Sequence, residues 1–377
     1  MKPNQLHPTT HVQAQCRPYL FLLFALLYVF PLWADNPEDI KKKEITKSFK
    51  ADKDDQLQVD NCYGNIHVTY WKKNEVEFRI VIEAKTKSEE KAQEWIDRVK
   101  IQMDKTGNTI SAVTSLRSSN NHFSGSFKIH YFVQMPERLT CELEQKYGNI
   151  YMPDENKGKC TLRTKYGNIE GGNFSIPLFL ESKYGNVTLG NVDEATLDVA
   201  YCGKVNIGDV SLLHIDSSYS NFYMGNIRKA EVDAEYGNIQ MKQLEEGILD
   251  VKYTNCRIEA LQKRLTVPTL SYGNFEIEAL ATDFEQIDVN ARYGNLNIGV
   301  ASDASFQLEA NNMRYGRCSV SGIEVERRHP AEKEQLGFDN RADRREKDNY
   351  LLDINGGKRG KILFEGNNYS NIKVTAH

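Results

Sequence analysis

The tripeptide Tyr-Gly-Asn occurs at Tyr63, Tyr147, Tyr166, Tyr184, Tyr236, Tyr272 and Tyr293. Degenerate copies start at Tyr201, Tyr219, Tyr253, Tyr315 and Tyr369. From Tyr147 to Tyr315 the steps run from 17 to 22 residues, so one unit is about 18 residues and recurs without interruption. A unit of that size cannot bury an apolar stripe by itself. Stacked units can, and each then contacts only its neighbours.

The flanking positions repeat as well. Four residues before the tyrosine stand Leu143, Leu162, Leu180, Leu197, Ile215, Val232 and Leu249. Three residues after it stand Ile150, Ile169, Val187, Phe222, Ile239, Cys256, Phe275 and Leu296. Apolar and polar residues alternate with period two on both sides of a Gly-Asn step, the signature of strand, sharp bend and strand. The unit at Tyr201 carries one extra residue, as a bulge would. Like side chains recurring at one period favour in-register parallel pairing at about 4.8 Å per rung, rather than the alternating hairpins of a sandwich. The expected fold is all-β: a single-stranded parallel β-helix, a solenoid of about 18 residues per rung over residues 141–323. Right-handedness is preferred because no hexapeptide periodicity is evident.

Glycine, and less readily asparagine, accepts positive φ, so each pair reads as a structural corner. The pairs are Gly148 and Asn149, Gly167 and Asn168, Gly185 and Asn186, Gly237 and Asn238, Gly273 and Asn274, and Gly294 and Asn295. Stacked tyrosines can pack ring on ring, and stacked asparagines can hydrogen-bond along the axis. The competing reading makes Tyr147, Tyr166, Tyr184 and Tyr236 part of an exposed ligand-binding ladder. Asp198, Asp216, Asp233 and Asp250 each lie three before a tyrosine, an acidic row that is either a solvated outer face or a ligand- or cation-binding strip.

The remaining segments depart from the repeat. Residues 1–34 carry basic residues, the apolar run Tyr19 to Ala34 and no acid, which reads as a signal peptide, with an uncleaved anchor as the alternative. Residues 35–140 read as a small mixed α/β N-terminal cap that contains the first rung. Polar residues 38–60 open it, and a helix near 88–103 has Ser88 as N-cap and Ala92, Trp95, Ile96, Val99 and Met103 on one face. Residues 324–350 form a charged insertion loop, and 351–377 supply the C-terminal rungs that close the rod.

Charge narrows the function. The chain has 377 residues and a formal charge of −4, which argues against nucleic acid as a partner. Six cysteines follow the apolar run without a CxxC spacing. Cys141 and Cys160 stand six before successive tyrosines and come within bridging range, although in-register side chains are poorly oriented for a disulfide. No catalytic, phosphate-binding or calcium-loop motif is present, and the histidines show no ligand spacing, so no catalytic residue, metal or cofactor is assigned.

With its leader, mixed N-terminal region and ladder of KYGNI-like units, the chain resembles the adhesin family of domain of unknown function 4097. That family is common in Bacteroidetes and related to the GIN head domain. The matching residues are Lys146–Ile150, Lys165–Ile169, Lys183–Val187, Glu235–Ile239, Ser271–Phe275 and Arg292–Leu296. The resemblance covers about residues 45–377. It implies a right-handed β-helix-like solenoid in the cell envelope and carries over no catalytic residues. One departure is that no cysteine stands at the cleavage site, where several members are lipoproteins. The leading expectation is a non-enzymatic exported protein, in the periplasm, at the outer-membrane surface or extracellular. It would bind a surface glycan or protein and meet the membrane only through its export signal. The alternatives are a structural or regulatory envelope component with a membrane partner, and a β-helix polysaccharide lyase or hydrolase, which fold alone does not establish.

Overall fold

The 18-residue period becomes one turn of a parallel stack. In the computed structural model, residues 39–117, 125–327, 349–367 and 369–377 are described. They belong to one compact unit, Glu38–His377. The expected signal peptide and residues 328–348 of the charged insertion lie outside the described residues. Strand Cys160–Lys165 pairs in parallel register with Thr140–Lys146 on one side and Leu178–Lys183 on the other. Past each tyrosine, Ile169–Glu170 pairs likewise with Ile150–Tyr151 and with Val187 and Thr188. The chain therefore adds rungs by pairing like positions of successive repeats.

Register turns the sequence pattern into a core. Leu143, Leu162, Leu180 and Leu197 are direct register neighbours, all buried, and Ile215 and Val232 continue the row. Burying each such side chain contributes about 1.5–3 kcal/mol. In the Tyr201 unit, Val205 lies four residues after its tyrosine yet pairs with both Val187 and Phe222. The extra residue is absorbed at the corner, and the inward row continues.

The two ends break chain order. At the start come β1 (Asp39–Lys50), β2 (Gln56–Cys62), β3 (Ile66–Trp71), β4 (Glu75–Thr86), α1 (Glu89–Asp97), β5 (Val99–Thr106), β6 (Thr109–Leu116) and β7 (Ser126–Pro136). β2 lies between β6 and Thr140–Lys146, parallel to both. β3 lies between β7 and Ile150–Tyr151. The first rung in sequence is thus the second in space. Antiparallel strands flank the outer one: β5 on β6, β4 on β7, and β1 on β4.

The C-terminal end uses the same device. Gly360–Asn367 pairs with Gln286–Arg292 on one side and Phe306–Asn311 on the other. Asn371–Ala376 sits between Asn295–Val300 and Cys318–Ser321. The last residues therefore do not close the rod as expected: they form its penultimate rung. Beyond Phe306–Asn311, Tyr350–Ile354 runs antiparallel to it, and Val325–Arg327 runs antiparallel to Tyr350–Ile354 in turn. Those two strands occupy both margins of the segment expected to be a loop.

Two further expectations change. The helix ends at Asp97 rather than near residue 103, because Val99 and Met103 pair with Leu116 and Ala112 in a hairpin. Ser88 does cap it, its hydroxyl accepting from the Lys91 N–H. The polar stretch 38–60 holds two strands, since β1 finds a partner in β4 and lays Ile45 and Phe49 on the core.

A tyrosine stack and its flanking rows as the candidate functional site

The corner residue with positive φ is the tyrosine, not the glycine. Tyr63, Tyr147, Tyr166, Tyr184, Tyr201, Tyr219, Tyr236, Tyr253, Tyr272, Tyr293 and Tyr369 all have φ between 51° and 62°. For a bulky L-residue this costs about 1–2 kcal/mol. Glycine is needed next to it for another reason, which corrects the sequence reading of Gly148, Gly167, Gly185, Gly237, Gly273 and Gly294. A Cβ on Gly167 would lie 1.8 Å from the Gly148 carbonyl oxygen, and one on Gly185 1.8 Å from that of Gly167. At these glycines successive rungs approach backbone to backbone and leave no room for a Cβ. Cys202, Ser220, Thr254 and Ser370 fill the same position in the degenerate copies, all buried.

Stacking offsets the strain on the tyrosines. From Tyr63 to Tyr293, and on through Tyr369 to Tyr315, successive rings lie parallel with centroids 4.7–6.0 Å apart. Each such contact is worth about 0.5–1.5 kcal/mol beyond area burial. Tyr315 follows Tyr369 in space although it precedes it in sequence, as the interleaved end requires. Every ring of the stack is 38–58% exposed. The faces of Tyr147, Tyr166, Tyr184 and Tyr236 are covered on both sides by neighbouring rings. What remains open is a strip of ring edges and hydroxyls. The Tyr236 phenol is held above its ordinary value, first by desolvation and then by Tyr219 and Tyr253.

Rows of polar side chains flank the strip. Asn149 Oδ1 accepts from the Asn168 N–H at 2.9 Å, and Asn168 Oδ1 from the Asn186 N–H at 2.9 Å. Farther along, the carboxamides themselves donate: Asn238 to Asn221 at 2.7 Å and Asn295 to Asn274 at 2.9 Å. A second asparagine row, which the sequence reading missed, runs through Asn173, Asn191, Asp209 and Asn226. Its signal is the Gly-Asn or Gly-Asp step at Gly172, Gly190, Gly208 and Gly225, where a Cβ would again strike the preceding rung. On the other side of the tyrosines, Asp198, Asp216 and Asp233 are register neighbours on the outer face, and Asp250 lies one repeat on. Desolvation, then neighbouring carboxylates, raises the Asp198 and Asp233 carboxyls, against the opposing pull of Lys183 and Lys252. Among the described residues no group of three or more His, Cys, Asp or Glu side chains is placed to hold a metal ion.

Cys141 and Cys160 are register partners with free thiols, their sulfurs 3.4 Å apart in the core. No helix among the described residues is long and apolar enough to cross a membrane.

Together these features define a parallel β-solenoid with one continuous external tyrosine stack. The family model for Toastrack DUF4097 matches residues 74–347, and the chain belongs to that family. No curated protein matches it. Among solved structures it is similar to one from Clostridium sporogenes provisionally labelled a cell adhesion protein, at 10% identity and TM-score 0.22, covering 89% of this chain and 100% of that one. It is also similar to a provisional lipid binding protein from Parabacteroides distasonis, at 11% identity and TM-score 0.33, covering 68% and 96%. A provisional adhesin from Bacteroides fragilis matches at 12% identity and TM-score 0.24, covering 88% and 97%. Likenesses that distant carry no function across.

Proposed function

We propose that the chain is an exported, non-catalytic surface protein that grips an extended partner, protein or glycan, along the tyrosine strip. The stack of half-exposed tyrosines supports this reading. Tyrosine gives large contact area with an apolar body and a polar tip. Here the rings are already ordered by one another, so little side-chain entropy remains to be lost on binding. Because ring faces are occupied, contact runs through edges and hydroxyls, which suits a long flat surface better than sugars stacked on single rings.

A glycan and extracellular-matrix binding screen with the chain tests it. A variant with Tyr184, Tyr201, Tyr219 and Tyr236 all changed to Phe keeps the stack and removes four hydroxyls. Selective binding that falls at least tenfold in this variant, at unchanged melting temperature, is the expected result. Binding that is unchanged, or absent across the screen, would overturn the reading.

A further inference from the structure

In a repeat protein the informative place is where the repeat breaks. The outer face is a regular array of rows until Pro268. There the register between Asn221–Ser271 and Gln286–Arg292 slips: Val267 faces Val289, but Leu270 faces Ala291. Three residues step against two. Proline cannot donate to the ladder and is tolerated in a sheet at such bulges. The slip dents the face into a shallow cleft of about 470 Å³, lined by Pro268, Thr269, Ser271, Asn290, Arg292 and Asn367. Interleaving of the C-terminal strand completes it, since Asn367 donates to Asn290 Oδ1 at 3.0 Å. The tyrosine stack is also widest beside it, 6.0 Å between Tyr293 and Tyr369.

The chemistry changes at the same point. The row three before the tyrosine is acidic from Asp198 to Asp250 and then becomes Thr269 and Asn290. Arg292 lies over the Tyr293 ring, 5.9 Å from its centroid, and pairs with no carboxylate among the described residues. Arg257, in a neighbouring groove of about 440 Å³, is by contrast held by Glu276 and Glu278. Three carboxylates lie near the cleft: Asp250 accepts from Thr269 and lies by Lys252, Glu365, the register partner of Asn290, accepts from Asn311 and Asn312, and Asp288 accepts from Gln286 through Oδ2 while its Oδ1 is buried without a hydrogen-bond partner. The cleft thus offers two carboxamides, two hydroxyls, one uncommitted guanidinium and an aromatic neighbour.

We infer that this cleft binds a carboxylated saccharide, with Arg292 taking the carboxylate and Asn290, Asn367 and Ser271 taking ring hydroxyls. An arginine fork matches a carboxylate bidentately, and amides and hydroxyls both donate to and accept from sugar hydroxyls. The inference rests on the surface-binding reading above and names a ligand class for one place on that surface.

Calorimetric titration of the full chain with carboxylated saccharides, trigalacturonate first, beside their methyl esters is the test. The ester keeps every hydroxyl and loses only the charge. Expected is binding of the acid, with at least tenfold weaker binding of the ester and of the acid to Arg292→Gln. Arg257→Gln stays within about twofold of wild type. Acid and ester binding alike, Arg292→Gln binding as wild type with its fold intact, or no acidic saccharide binding at all would overturn it. The two readings separate cleanly. Matrix binding lost in the tyrosine-to-phenylalanine variant, beside no binding of any acidic saccharide, leaves the strip standing and removes the cleft. Trigalacturonate binding lost in Arg292→Gln alone, beside a blank matrix screen, does the reverse.

Discussion

The middle of the molecule and its two ends are built from the same rung by different rules of order. Between Tyr147 and Tyr293 each repeat lies beside the repeats next to it in sequence. At the ends, β2 with β3, and the strands of residues 360–376, are slotted one place in from the end of the stack. A parallel stack with sequential ends would terminate in unpaired edges and a chain end free to peel away. Slotting the terminal segments inside means that each is paired on both sides, and antiparallel strands lie beyond the outermost rungs. The middle gains stability by adding units, and the ends gain it by topology.

Deletions separate the two rules most sharply. Removing residues 185–201, one whole central repeat, joins Tyr184 to Cys202 and leaves every remaining rung with a like neighbour. The shortened chain should still unfold in one transition, a few degrees lower. Removing residues 360–377, a segment of similar length, takes out a rung paired on both sides. Amide hydrogen exchange should then show protection lost across residues 306–327 and in the Gln286–Arg292 strand. Equal tolerance of both deletions would mean that the end simply re-pairs and that order is not enforced.

Glycine tests the spacing of the central rungs. Gly185→Val places side-chain atoms where the Gly167 carbonyl already stands, so a loss of at least about 3 kcal/mol is expected in urea unfolding. Gly107, in the hairpin of the N-terminal end, has φ +57° and open space around it. Gly107→Ala should cost no more than about 1 kcal/mol, the price of the conformation alone. If the two cost the same, close approach is not what selects glycine at the corners.

Tyr219 then measures what the stack returns for its strain. Tyr219→Phe should be neutral within about 0.5 kcal/mol. Tyr219→Ala removes two ring contacts and should cost about 1–3 kcal/mol. Tyr219→Gly loses the same contacts but relieves the positive φ, so it should be milder than Ala.

This division also explains what could be read from the sequence. Period two on each side of the tyrosine named the inward rows, and the fixed step between like residues named parallel stacking. Both are local patterns repeated many times. The corner was placed correctly but explained by the wrong residue. Glycine is the least costly residue at positive φ, yet its missing Cβ was needed for rung contact, which no single repeat displays. Chain order at the ends was hidden because Asn371 and Asn295, hydrogen-bonded at 2.7 Å, are 76 residues apart in sequence. The helix was read too long because Val99 and Met103 keep its spacing, while their strand partners lie beyond Gly107. At the candidate sites, the acidic row was visible as a repeat. The Arg292 cleft was not, because it is made by a departure from the repeat at Pro268 and by a strand from the far end of the chain.

Carboxylates give the smallest effects, and of opposite sign in the two regions. At the N-terminal end, Asp55 is buried, bonds Lys105 Nζ at 2.6 Å and accepts the Asp52 N–H. The Lys105 bond, then the Asp52 N–H, holds its carboxyl below the ordinary 3.8. A lowered folded value means stability present above pH 3.8 and lost as pH falls through that lower value. Asp55→Asn should therefore cost about 1–2 kcal/mol at pH 7 and progressively less in acid. In the central acid row, desolvation and then Asp250 and Asp216 raise Asp233 above 3.8, with Lys252 opposing. A raised folded value means stability present below pH 3.8 and lost as pH climbs through it. Asp233→Asn should accordingly raise stability at pH 7 by no more than about 0.5 kcal/mol, a gain that vanishes near pH 3. Urea unfolding at the two pH values reads both signs. A loss on Asp233→Asn at pH 7 would show that the row is held by cations rather than merely solvated.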